Sequence, residues 1–177
     1  MKRLIVFRSA HTTGELGRGV SSHPIFRVSS KGKKRLAKAA NAVRPILEGC
    51  TFALATSEVP DIREAATILA KNLGKDQPYA SSLLGSCEGT AFLPGALKYV
   101  QEMFDFREIL ILMVGVKMSE RLPAYLGERL PGIFPTLPWK HLSKAEGVVI
   151  NLESRSYCFI NTPQYVCSGE FDPSDQI

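Results

Sequence analysis

Short unbroken apolar runs alternate along this chain with stretches in which apolar positions recur every three or four residues. The runs Leu4-Ile5-Val6-Phe7, Thr51-Phe52-Ala53-Leu54-Ala55-Thr56-Ser57 and Ile109-Leu110-Ile111-Leu112-Met113-Val114 lack the polar alternation of a half-exposed strand. Such runs predict strands covered on both faces, as in a parallel sheet. Between the first two, Leu36, Ala39, Ala40, Val43 and Leu47 keep helical spacing behind Ser29, a residue type that caps helix N-termini. A helix is predicted through about Arg44, with Pro45 expected to bend or end it. Pro60 and Asp61 open a second helix with Ile62, Ala65, Ala66, Leu69, Ala70 and Leu73 on one stripe and Gly74 as its stop. Asp61 suits the positive end of that helix.

The intervals are less regular. After Phe7 comes a long loop containing Gly14, Gly17, Gly19, Ser21, Ser22 and Pro24. A short strand is expected around Tyr79–Leu84, then a turn-rich polar patch with Ser86, Glu88 and Thr90, then a helix over 96–106 carrying Leu97, Val100, Met103 and Phe104. Ser119 can cap a short helix bearing Leu122, Tyr125 and Leu126, with Pro123 tolerated in its first turn and a proline-rich connection behind it. Val148–Leu152 and Tyr157–Ile160 predict an antiparallel hairpin at the sheet edge. Strands alternating with helices and closed by an edge hairpin imply an α/β chain. The expected form is a three-layer α/β/α sandwich, one domain over 1–177, with a mainly parallel sheet centred on Ile109–Val114.

Composition narrows the classes. The longest apolar run, Ile109 to Val116, falls far short of the about 20 residues that span a bilayer. Lys2 and Arg3 precede only four apolar residues, too few for a secretory leader, so a cytoplasmic protein with no membrane partner is expected. Cys50, Cys87, Cys158 and Cys167 form no C-x-x-C pair, and His11, His23 and His141 are scattered, so no metal or other cofactor is implied. The net charge of +5 is unevenly spread: residues 1–44 hold eleven of the 22 Lys and Arg against one acid, Glu15. Lys31, Lys33, Lys34, Arg35 and Lys38 suit the solvated side of the first helix, and no nucleic-acid motif accompanies them. Arg8 ends the first strand, where open α/β sheets bind ligands, and its planar fork of donors matches phosphate.

In order and spacing these pieces resemble the histidine phosphatase superfamily, the phosphoglycerate mutase-like proteins, and within it the small phosphohistidine phosphatases. Leu4-Ile5-Val6-Phe7-Arg8-Ser9-Ala10 is similar to that family's first strand and Arg-His-Gly signature, and Val28-Ser29-Ser30-Lys31-Gly32 to the Leu-Thr-x-x-Gly that starts its first helix. Thr56 to Ala66 resembles its Ser-Ser-Pro-x-x-Arg-Ala-x-x-Thr-Ala. Leu112-Met113-Val114-Gly115-Val116 resembles its strand ending in Val-Gly-His, and Gly147–Leu152 with Tyr157–Pro163 its closing hairpin.

The resemblance implies a site in which a histidine attacks phosphorus while two arginines and a second histidine stabilise the transferring group. Arg8 matches the first arginine and remains a phosphate-binding remnant. Ser9 stands at the nucleophile, Ala10 at the following glycine, Asp61 at the second arginine and Val116 at the second histidine. Arg63 lies two residues beyond the arginine position, about 200° around a helix. Each lost donor typically costs about 10²–10³ in rate, so the family's phosphoryl transfer is expected to be lost. No catalytic residue is assigned with the family mechanism. Asp61 is expected to reach Arg8 in a salt bridge, with Ser9 and Val116 lining the same depression. The expected role is that of a pseudoenzyme that binds a protein or a small anionic ligand. The alternatives are a phosphomonoester or phosphohistidine hydrolase rewired through Arg8, His11 and Glu88, and an anion or nucleic-acid binder using the basic first quarter.

Overall fold

A computed structural model of the chain describes residues 2–10, 12–15, 25–84, 102, 107–120, 142–154 and 156–160. The apolar runs form the middle of a six-stranded mixed sheet. Its strands are β1 (Arg3–Arg8), β4 (Phe52–Ser57), β5 (Tyr79–Ser81), β6 (Ile109–Val114), β7 (Gly147–Asn151) and β8 (Ser156–Ile160), in the order β5-β4-β6-β1-β7-β8. β5, β4, β6 and β1 run parallel, while β7 is antiparallel to β1 and to β8. Every residue of β6 is buried, as its lack of alternation requires. The β7–β8 hairpin closes one edge.

Two helices cover one face. α1 (Ser30–Leu47) begins as its sequence predicts, with the Ser29 hydroxyl accepting from Gly32 N–H at 3.1 Å. It runs past Pro45 rather than ending there. Pro45 lies in the last turn, and both it and Asn41, whose carbonyl loses its donor, are exposed to water. Arg3 supplies a guanidinium donor to the Ile46 carbonyl at 3.1 Å, one of the orphan acceptors at that helix end. α2 (Pro60–Asn72) ends in a glycine turn: Gly74, at φ +74°, donates to Lys71 O, and Lys75 donates to Ala70 O. The stripes of both helices join Ile5, Phe7, Leu54, Ile109, Ile111 and Met113 in one core. On the opposite face Leu4, Val6, Leu110, Leu112, Val114 and Val148 pack against Met118 and Leu142. The molecule is thus a mixed sheet flanked by helices, a three-layer α/β/α fold.

Three local expectations change. The strand predicted over Tyr79–Leu84 stops at Ser81, and Ser82–Leu84 turn into a 3₁₀ helix that buries Leu84. Residues 116–120 are helical from Val116, so Ser119 sits inside the first turn, where its hydroxyl donates to Val116 O at 2.7 Å instead of capping. The stretch read as a single long loop contains β2 (Thr12–Glu15) and β3 (Ile25–Val28), paired antiparallel as a separate two-stranded sheet. The helix expected over 96–106, apart from position 102, lies outside the described residues, as do Leu122, Tyr125 and Leu126. Among the described residues no helix is long and apolar enough to cross a membrane.

Candidate functional site

The residues singled out from sequence converge on one rim of the sheet. β1, β4, β5 and β6 all end there, the edge at which parallel α/β sheets bind ligands. Arg8 pairs with Val114 in the ladder, and Ser9 N–H donates to Val114 O at 2.9 Å, so β1 and β6 end side by side. Gly115 and Val116 follow at once. A Cβ on Gly115 would stand 2.9 Å from Ile62 Cδ1, showing how tightly the first turn of α2 closes on the end of β6. Asp61 is the neighbour of Ile62. Ser9, Asp61 and Val116 are therefore brought to the same rim, and Ser9 and Ala10 are buried there. Val116, 41% exposed, and Val59, 39% exposed, put apolar surface on it. Ser57, buried at the end of β4, accepts from Val59 N–H at 3.0 Å and shapes the entry to α2.

Arg8 breaks the expected arrangement. It forms no salt bridge with Asp61. The reason lies in strand alternation. Ile5 and Phe7 face the helices α1 and α2, whereas Leu4 and Val6 face the other core, and Arg8 continues the second set. Its Nη1 donates to Leu142 O at 2.6 Å on that side, while Asp61 belongs to a helix packed on the opposite face. The Asp61 side chain has no hydrogen bond or ion pair among the described residues.

Leu142 opens a turn that the sequence did not single out. Ala145 adopts φ 62°, the left-handed region, and its N–H donates to Arg8 O at 3.1 Å and Ser9 O at 3.2 Å. Glu146 N–H donates to Ser143 O, and the buried Glu146 carboxylate accepts from Ser143 N–H at 2.7 Å. Across the ladder Arg8 N–H donates to Glu146 O at 3.0 Å. The Arg8 and Glu146 side chains thus each hold backbone of this turn, Arg8 the Leu142 carbonyl and Glu146 the Ser143 N–H. Their only sequence signal was a glutamate just before a predicted strand, with nothing to link it to Arg8. The Arg8 Nε is buried without a partner, so the guanidinium pays part of its desolvation for no bond. The rewired-site residues His11 and Glu88 lie outside the described residues.

Chemically, the described rim offers one half-engaged guanidinium, a buried hydroxyl at Ser9, a carboxylate at Asp61 and two exposed valines. The architecture around it is that of the histidine phosphatases: the chain has their α/β, phosphoglycerate mutase-like fold. Among solved structures it is similar to SixA of Agrobacterium tumefaciens, assigned as a phosphohistidine phosphatase, at 13% identity and TM-score 0.60, over 90% of this chain and 96% of that one. The mycobacterial glucosyl-3-phosphoglycerate phosphatase Rv2419c superposes with TM-score 0.59 at 12% identity, over 84% and 89% of the two chains. An Escherichia coli K-12 protein assigned as an alpha-ribazole-5'-P phosphatase gives 0.56 at 10% identity, over 93% and 98%. No protein-family model and no curated protein matches the sequence.

Proposed function

We propose that this chain is a cytoplasmic pseudoenzyme of the histidine phosphatase fold, which binds a protein or a small anionic ligand in a regulatory role and transfers no phosphoryl group. The observation that carries this reading is that Arg8 is partly engaged by its own chain. The single cation that the resemblance leaves in the clamp makes a 2.6 Å hydrogen bond to its own Leu142 carbonyl. The chemistry beside it points the same way. Ser9 follows the end of β1 where the family resemblance asks for the phosphorylated imidazole, and Val116 follows the end of β6 where it asks for the second. A serine hydroxyl is a weak nucleophile unless a neighbouring base takes its proton, and no imidazole stands at either position. Asp61 adds a carboxylate to the same rim, which repels phosphate.

The test is turnover of aryl phosphates and of a phosphohistidine peptide by the full chain. No hydrolysis above the protein-free rate is expected. Hydrolysis that disappears in Arg8→Ala would overturn the proposal. Hydrolysis lost in His11→Ala and retained in Asp61→Ala would establish instead a rewired hydrolase working through His11, with Glu88 as the candidate proton donor.

A further inference from the structure

The exposed face of α1 carries charge of one sign only. Between Ser30 and Leu47 the helix has six basic residues, Lys31, Lys33, Lys34, Arg35, Lys38 and Arg44, and no acid. All six are exposed. Its apolar residues give it no second use for that face, because Leu36, Ala39, Ala40, Val43 and Leu47 are all turned into the core. Four of the basic residues stand in the first two turns, against the positive end of the helix dipole, where acids are the favourable choice. Lys31 with Arg35 and Lys34 with Lys38 add like-charge neighbours at the four-residue spacing. Among the described residues no acid pairs with Lys31, Lys33, Lys34 or Lys38. Among the described residues nothing offsets the charge of these lysines, and an anionic surface laid on the strip would offset it.

The shape of the face is also defined. Ser30, Lys31, Lys34, Arg35 and Lys38 line a shallow depression of about 410 Å³. Arg35 closes one side by donating to Lys144 O at 3.3 Å, which draws the exposed Lys144 toward the strip. Lys31, Lys34 and Lys38 repeat at three and four residues, a row about 10 Å long on one side of a helix.

The geometry points to this strip as a docking surface for an acidic polypeptide segment whose carboxylates recur at the same helical spacing. A second helix with Asp or Glu at i, i+3 or i+4, and i+7 lays its acids against the lysine row in register, each pair being the intermolecular form of a helix-surface ion pair. Nucleic acid fits less well, since no aromatic side chain lines the depression to stack a base and the cations on its floor are mostly lysine point charges rather than free guanidinium forks. A membrane surface fits less well too, because the strip offers no apolar residue to enter the acyl boundary. The strip borders the rim through Lys144, whose neighbours Leu142 and Ala145 bond Arg8 and Ser9, but none of the residues lining the depression is a rim residue, so the proposal does not depend on chemistry at that rim.

The experiment titrates the full-length protein into a fluorescent, helix-forming peptide of about 15 residues with Glu on one face and neutral residues elsewhere. Anisotropy is read at ~50 and ~200 mM salt. Binding should weaken by about tenfold or more with salt, and by at least as much in Lys31→Gln/Lys34→Gln/Lys38→Gln, whose circular dichroism should match the parent. Lys71→Gln/Lys75→Gln, in the last turn of α2 and just beyond it, should bind as the parent does. The proposal is overturned if the triple variant binds the peptide unchanged, or if a scrambled peptide of the same composition binds equally well. It is also overturned if duplex DNA, single-stranded RNA or phosphatidylserine vesicles bind more tightly with the same lysine dependence.

Discussion

Replacing Arg8 by methionine separates a strut from a ligand clamp. Methionine keeps most of the apolar stem and removes the guanidinium, so the change isolates the bond to Leu142 O at 2.6 Å. A hydrogen bond from a charged donor contributes about 1.5–3 kcal/mol, and its loss leaves a partly buried carbonyl short of a partner. Against this, the Nε is buried and unpartnered, and removing it recovers about 1 kcal/mol of desolvation. The net expectation for Arg8→Met is a destabilisation of about 1–2 kcal/mol, or ~2–8 °C in Tm for a chain of this size. Urea unfolding without any ligand should show a lower midpoint at unchanged slope. Thermal melts with and without inorganic phosphate complete the assay, and phosphate should move the parent's Tm little. The reasoning is refuted if phosphate raises the parent's Tm by several degrees while Arg8→Met loses only that increment and unfolds as the parent does in its absence.

Gly147→Ala should be costly, because a Cβ there would come within 2.5 Å of two ring atoms of the fully buried Phe7; about 1–3 kcal/mol lost in chemical denaturation is expected, and a loss under ~0.5 would show that the ring gives way freely. Ala145→Gly should instead gain up to about 1 kcal/mol by relieving φ 62°, read as a raised urea midpoint, and an unchanged or lowered midpoint would count against strain in the 142–146 turn. The Thr51 backbone N–H, then Lys2, hold the Glu108 carboxyl below its ordinary value, so its contribution is present above the unfolded pKa and fades as pH falls through the lower folded one. The hydrogen bond to Glu108 raises Lys2, whose share is present below its unfolded pKa and fades as pH rises through the higher folded one. An NMR titration placing Glu108 at the value of an unstructured peptide would contradict both.

Much of the fold was legible in local pattern. Helical spacing named every buried residue on the stripe of α2, and the unbroken run Ile109–Val114 marked the strand buried on both sides, because burial leaves its period directly in the sequence. The residues of the rim were legible too, since strand ends and the helix start after Pro60 place Ser9, Asp61 and Val116 by chain connectivity alone. What the sequence could not reveal was any relation that needs two distant segments at once. The β2–β3 pairing depends on register between strands nine residues apart, and its stretch reads locally as loop. The fate of Arg8 depends on which face it occupies when β1 ends, on α2 packing against the other face, and on the carbonyl of Leu142 arriving 134 residues later in the chain. Hydrophobic period determines which residues are buried and in what element. The sheet order and the face on which each helix packs decide which buried or half-buried charges meet, and those are set only by the packing of the whole chain.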